Sequence, residues 1–292
     1  MPIFFIVSGI LQTNKRPEGL KRQEIASFIL RRTKQLLIPY FVFGGILILF
    51  FQMLHLVGGE PLTYKEQLFS LITLQGIESL WFLPCYWLAE LTFLLVILRL
   101  PDYAKACFVI LGMVILTLVL NFDLLKTGTG KFMLKILIGV IFMCIGSIAA
   151  RLHLLEKMKL CHVLIGGIIG FLSAEYNGFV GISALRLQCV GLFFFNATIL
   201  SFCILALFRL YEQRGSLKII DYFGKNTLVV VCTNNIIIEC LRLLDYKLAS
   251  NFLLSSGLAG GIIMAIIVAG IEVIYISLCK NTKIGNLAMG KY

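Results

Sequence analysis

Charge is scarce in this sequence. Asp, Glu, Lys and Arg make up 14% of its 292 residues, against about 25% in a soluble domain. So little charge cannot cover a water-facing surface, which excludes an ordinary soluble enzyme. Histidine is nearly absent, with only His55, His153 and His162. The nine cysteines never form a C-x-x-C pair, and they lie in or at the ends of apolar runs. Zinc sites and disulfide frameworks are therefore not expected, and packed free thiols are. No H-E-x-x-H, G-x-S-x-G, phosphate-loop or dinucleotide fingerprint occurs. Internal repeats and low-complexity tracts are also lacking. No basic segment precedes the first apolar run, so a cleavable signal peptide is not expected.

What fills the chain is apolar. Hydrophobic residues make up 59% and the mean hydropathy is +0.95. The pattern predicts an all-α polytopic helical membrane protein, one integral domain over residues 1–292. Pro2–Leu11 is a half-span of ten residues, against the roughly 20 that cross a bilayer. About eight full transmembrane candidates follow: Leu36–Val57, Leu80–Leu98, Cys107–Phe122, Phe132–Ala150, Leu160–Ala174, Leu187–Phe208, Thr227–Leu241 and Phe252–Leu278. Leu160–Ala174 and Thr227–Leu241 are short enough to be interfacial or broken. Trp81 and Trp87 stand where an aromatic belt would place them.

The arm Lys15–Tyr40, KRPEGLKRQEIASFILRRTKQLLIPY, carries Lys15, Arg16, Lys21, Arg22, Arg31, Arg32 and Lys34 against Glu18 and Glu24. A basic loop between apolar runs is held on the cytoplasmic face during insertion. With the arm inside, 19 of the 26 Lys and Arg residues fall on that side, including Arg99, Lys105 and Lys280, and the C-terminus is cytoplasmic. The net charge of +11 thus reports membrane orientation, and no nucleic-acid partner is expected.

Polar side chains deep in spans are functional candidates, because each needs a partner or a water-filled cavity. They are Glu90, Asn196, Asn234, Asn235, Glu239 and Glu272. For Glu90, a functional role and a bundle-facing structural carboxyl weigh evenly. Asn234 and Asn235 point about 100° apart on a helix, so at most one lines a shared cavity. Interhelical hydrogen bonding is the stronger expectation for both. Glu272 reads as structural, and the three histidines as interfacial filler without a sequence-near carboxylate or cysteine partner. These residues alone fit a transporter or an enzyme alike.

Four segments, in order, resemble the membrane-bound acyltransferase family 3, which contains bacterial polysaccharide O-acetyltransferases and fucose 4-O-acetylase relatives. They are MPIFFIVSG (Met1–Gly9), FILRRTKQLLIPY (Phe28–Tyr40), LWFLPCYWLAEL (Leu80–Leu91) and FGKNTLVVVCTNN (Phe223–Asn235). The resemblance implies transfer of an acyl group, acetyl above all, from acyl-CoA to a hydroxyl of a cell-envelope glycan or lipid-linked sugar at the plasma membrane. It implies donor phosphates on Arg31, Arg32 and Lys34, and a cavity lined by Ser8, Glu90 and Asn234, with no metal. Orientation and attraction to anionic lipid explain the same cations equally well. Family members carry an Arg and a general-base His on a span before the MPLFFF segment, so that base would lie upstream of Met1 and the catalytic residue is unknown here. The chain is accordingly expected to be N-terminally truncated, misassigned at its start, or inactive. Many relatives also carry His where Asn234 stands, and asparagine cannot take up a proton near neutral pH. The alternatives are an inactive scaffold, or a transporter or flippase of sugar precursors; the latter usually has repeated halves, which are lacking.

Overall fold

The computed structural model describes residues 1–16, 22–56, 64–122, 128–212, 215, 218–247 and 257–280. Lys21, Glu60, Lys126, Arg214, Lys283 and Lys291 lie outside them, as do the side chains of Arg22, His55, Lys247 and Lys280. The described residues are almost wholly helical. Eight helices among them are long and apolar enough to cross a membrane: Gln23–Met53, Glu78–Ile97, Asp102–Asn121, Gly128–Arg151, Leu160–Asn177, Val190–Glu212, Thr227–Asp245 and Gly260–Cys279. The expected all-α polytopic class holds.

Contacts divide the chain into two compact units. The first, Met1–Ile29 with Cys85–Leu217, contains α1 (Pro2–Lys15), α5 (Asp102–Asn121), α6 (Gly128–Arg151), α7 (Leu154–Lys157), α8 (Leu160–Asn177) and α9 (Val190–Glu212). Most of α4 (Phe82–Thr92) and its π-helical continuation Phe93–Ile97 also belong to it. Helix α6 is the hub, meeting α1, α5 and α7. Its contact with α1 is backbone-close. A Cβ on Gly9 would strike the Met143 carbonyl, and one on Gly146 would strike that of Ile6. Small residues let membrane helices approach this far. Phe5 lies over Gly139 and Thr13 bonds Ser147. With Gly9 at Met143 between them, the paired positions rise together, so α1 and α6 run in the same direction. On its other side α6 stacks Phe142 on Phe193 and Phe194, at ring distances of 5.8 and 4.8 Å. Helix α8 packs on α9 and leaves Leu164, Ile165, Ile168 and Phe171 exposed, a face that lipid would cover.

The second unit is Leu30–Pro84 with Lys218–Tyr292. It holds most of α2 (Arg22–Leu56), α3 (Tyr64–Ile72), the single-turn 3-10 helix Glu78–Trp81, α10 (Lys218–Lys225), α11 (Thr227–Lys247) and α12 (Gly257–Lys280). Tyr40 is fully buried and donates its hydroxyl to the Leu71 carbonyl at 2.9 Å. Gly76, at φ 80°, turns the chain into the 3-10 helix, where a Cβ would meet the Trp81 backbone. Ser79 Oγ then donates to the Val231 carbonyl at 3.1 Å, and α11 packs on α12.

Three expectations are corrected. The basic arm is helical from Arg22 onward and runs unbroken into the span through Pro39. Its long polar side chains are good helix formers, and the loop expectation rested on charge alone. The two short runs become uninterrupted helices of 18 and 21 residues, because polar ends such as Glu175–Asn177 and Arg242–Lys247 extend them. Trp81 is 6% exposed, a packed residue rather than an interfacial anchor.

Candidate functional site

In the first unit, polar side chains line up on the inner faces of α1, α4, α5 and α6. Gln12 Nε2 donates to Glu90 Oε1 at 2.8 Å. Glu90 is 1% exposed, so this bond holds a carboxyl fully inside the helices. One turn before Gln12 on the same face stands Ser8, also buried. Its Oγ has no hydrogen-bond partner among the described residues. Ser8 and Glu90 are thus both buried in this unit; Gln12 bonds Glu90, while Ser8 stands one turn before Gln12 on α1 without a bond to either among the described residues.

A second chain of contacts begins one residue further along α1. Thr13 Oγ1 lies 2.8 Å from the Gly9 carbonyl and 2.8 Å from Ser147 Oγ. Lys105 Nζ donates to the same Ser147 Oγ at 3.2 Å. Asp102 Oδ1 lies 3.6 Å from Lys105 Nζ and 3.3 Å from Arg151 Nε. The Lys105 side chain is wholly buried, which corrects its expected place in an inner loop. Helix α5 begins five residues earlier than the apolar run because Pro101 precedes it and Asp102 opens its first turn. Gln12, Thr13 and Ser147 carried no sequence signal beyond being polar in apolar surroundings. The i,i+3 spacing of Asp102 and Lys105 was the one legible hint.

The histidine expectation is also corrected. His153 Nδ1 lies 3.1 Å from Glu156 Oε1, three residues away in sequence. Its backbone is left-handed, φ 52° and ψ 37°, a conformation uncommon outside glycine and asparagine. It lines a cavity of about 330 Å³ with Ile10, Asn14, Ala149, Ala150, Leu155 and Glu156. His162 Nδ1 accepts the Lys159 N–H at 3.1 Å and caps α8.

In the second unit, Arg31, Arg32 and Lys34 sit in the third and fourth turns of α2, which begins at Arg22. Arg31 and Lys34 are exposed, and their i,i+3 spacing puts them on one face. Arg32 Nη1 donates to Gln35 Oε1 at 3.2 Å. Asn234 on α11 is half-buried, and its Oδ1 has no hydrogen-bond partner among the described residues. Beside it on α11, Thr233 Oγ1 donates to Glu272 Oε1 at 2.7 Å. Glu272 is buried and held across two helices, in line with a structural role. Glu239 does not lie deep in the bundle, since it pairs with Arg242 at 3.0 Å on the surface. Asn196 on α9 is buried, its Oδ1 without a partner among the described residues. No three His, Cys, Asp or Glu side chains gather as a metal site among the described residues.

The chain therefore has buried carboxyl, hydroxyl and amide groups inside a helical membrane fold, and exposed cations on the helix α2 that runs into a span. Neither the comparison with curated proteins nor that with solved structures finds a match. A family model described as an acyltransferase domain, that of acyltransferase family 3, matches residues 1–274, and the chain belongs to this family of multi-pass membrane acyltransferases.

Proposed function

We propose that this protein moves an acyl group, acetyl in the first instance, from acyl-CoA to a hydroxyl of a cell-envelope glycan or lipid-linked sugar. The observation that carries the reading is the helical form of the basic arm. A helix sets Arg31 and Lys34 on one exposed face, about 4.5 Å apart along its axis, with Arg32 a third of a turn away. Such a turn suits a diphosphate: guanidinium forks pair with its oxygens and the ammonium adds a point charge. The arm would face the cytoplasm at the plasma membrane, where acyl-CoA is made. In the reaction the acceptor oxygen attacks the thioester carbonyl carbon and the carbon–sulfur bond breaks. The hydroxyl proton passes to a base and coenzyme A leaves as the thiol or thiolate. Within the first unit Ser8, Gln12 and Glu90 supply buried polar groups; within the second, Asn234 can hydrogen-bond but cannot take up a proton near neutral pH.

The test is radiolabelled acetyl transfer in isolated membranes. Arg31→Ala with Arg32→Ala should abolish labelling of the envelope sugar while the protein remains in the membrane fraction. Unchanged labelling would refute the donor role. Reporter fusions within the arm that prove active on the cell exterior would remove the orientation on which it depends.

A further inference from the structure

At the opposite end of α6 from Arg151 the first unit has a second cavity, of about 350 Å³. It is lined by the end of α5 (Asn121), the start of α6 (Lys131 and Leu134) and residues 184–188 of the α8–α9 connection. From Lys131 to Arg151 is about 30 Å along a helix, the thickness of a bilayer's hydrocarbon core. Because α1 runs with α6 and delivers the chain to Lys15 and Arg16, this cavity lies at the end remote from the start of the basic arm.

Two cations line it, Lys131 and Arg186, both exposed. Among the described residues neither forms an ion pair, and none of those that line the cavity is acidic. Asn121 and Gln188 add amide groups that can hydrogen-bond hydroxyls. The loop that carries Arg186 has a fixed shape. Buried Asn177 donates Nδ2–H to the Leu187 carbonyl at 3.3 Å and accepts the Cys189 N–H at 3.1 Å. Gly181 and Arg186 exchange both backbone hydrogen bonds, at 2.8 and 3.0 Å. Leu185 and Gln188 stand at φ 54° and 55°, a strained state for residues with a Cβ, and such strain gathers at ligand sites.

We infer that this cavity is the acceptor subsite and that it takes an anionic saccharide, one bearing a carboxylate or phosphate. The inference rests on the acyl-transfer reading above and adds the acceptor's class. Cations that only greet lipid phosphates at the interface need no concave polar wall; here the amides and the pinned loop supply one. Lysine and arginine fix the anion, and the amides orient the sugar ring.

The experiment places the chain in neutral phosphatidylcholine nanodiscs and measures binding of digalacturonate and galactose 1-phosphate against neutral galactobiose and free phosphate. At least one anionic sugar should bind about tenfold tighter than galactobiose and tighter than free phosphate. Lys131→Gln with Arg186→Gln should erase that preference, while thermal unfolding stays that of the parent. Asn177→Ala, which frees the loop and removes no charge, should weaken the same binding. Equal binding of charged and neutral sugars, or a preference that survives the double substitution, would overturn the inference. So would phosphatidylglycerol discs that cancel the sugar's binding, since a lipid headgroup would then be the occupant. Coenzyme A binding is measured in the same discs. Its loss would fault the donor reading and leave the anionic subsite standing.

Discussion

Replacing Ser147 by alanine tests whether a hydroxyl holds the buried Lys105 ammonium. Lys105 is 0% exposed, and its hydrogen bond goes to Ser147 Oγ at 3.2 Å. Asp102, at 3.6 Å, neutralises it from beyond good hydrogen-bond distance. Hydrogen bonds to charged groups are worth about 1.5–3 kcal/mol, so deleting Oγ should cost about 2 kcal/mol. Thr13 adds little to the loss, because its hydroxyl also lies 2.8 Å from the Gly9 carbonyl. In a Lys105→Met background Ser147 Oγ has no cation to accept from, and the same deletion should cost less than about 1 kcal/mol. Lys105→Met alone should be nearly neutral, since an apolar side chain replaces a buried charge and Asp102 keeps Arg151. The double-mutant cycle should therefore show a coupling of about 1–1.5 kcal/mol. For a chain of this size 1 kcal/mol moves the unfolding midpoint by about 2–4 °C. Once the exposed Cys107, Cys161 and Cys189 are blocked, a thiol-reactive dye reads that midpoint through Cys85, Cys144 and Cys232, which are fully buried free cysteines. If Ser147→Ala lowers the midpoint equally in both backgrounds, Lys105 and Ser147 do not interact and the polar chain from α1 to α5 is wrong.

Thr233→Val should destabilise the second unit by about 1.5–3 kcal/mol, as it strips the donor from buried Glu272; Glu272→Gln, which keeps an accepting oxygen, should cost less in the same dye assay. Gly9→Ala should lower the midpoint by several degrees, because the new Cβ meets the Met143 backbone, whereas Gly45→Ala, with nothing within 4 Å, should leave the stability unchanged or raise it by up to about 1 kcal/mol. Gln12→Leu should reduce acetyl transfer more than it reduces membrane insertion, since it removes the 2.8 Å contact that orients Glu90; equal losses in both would assign Gln12 to folding alone.

The helical class and the number of spans could be read from the apolar runs because bilayer thickness sets a length that soluble folds do not impose. The ends of helices could not. Lys105 looked like loop because charge seldom enters a span, and the groups that shelter it come from α1 and α6, 92 residues earlier and 42 later. Glu90 was visible as a lone carboxyl in an apolar run, but Gln12, its partner 78 residues away, was one amide in a short segment. His153 has Glu156 only three residues on, but its left-handed backbone leaves no trace in residue type, so their contact is not legible in the sequence. The basic arm was legible as charge and illegible as helix, because its Arg and Lys residues satisfy both descriptions.

The alignment of α1 with α6 also orders events during synthesis. Thr13 and Ser147 are 134 positions apart, and at about 5–20 residues per second the ribosome needs roughly 7–27 s to cover that interval. Until then the Gly9 surface of the first helix has no partner with which to mesh. The meshing of these two helices therefore closes only after several later segments have been made, so this packing is a late event in the life of an early element.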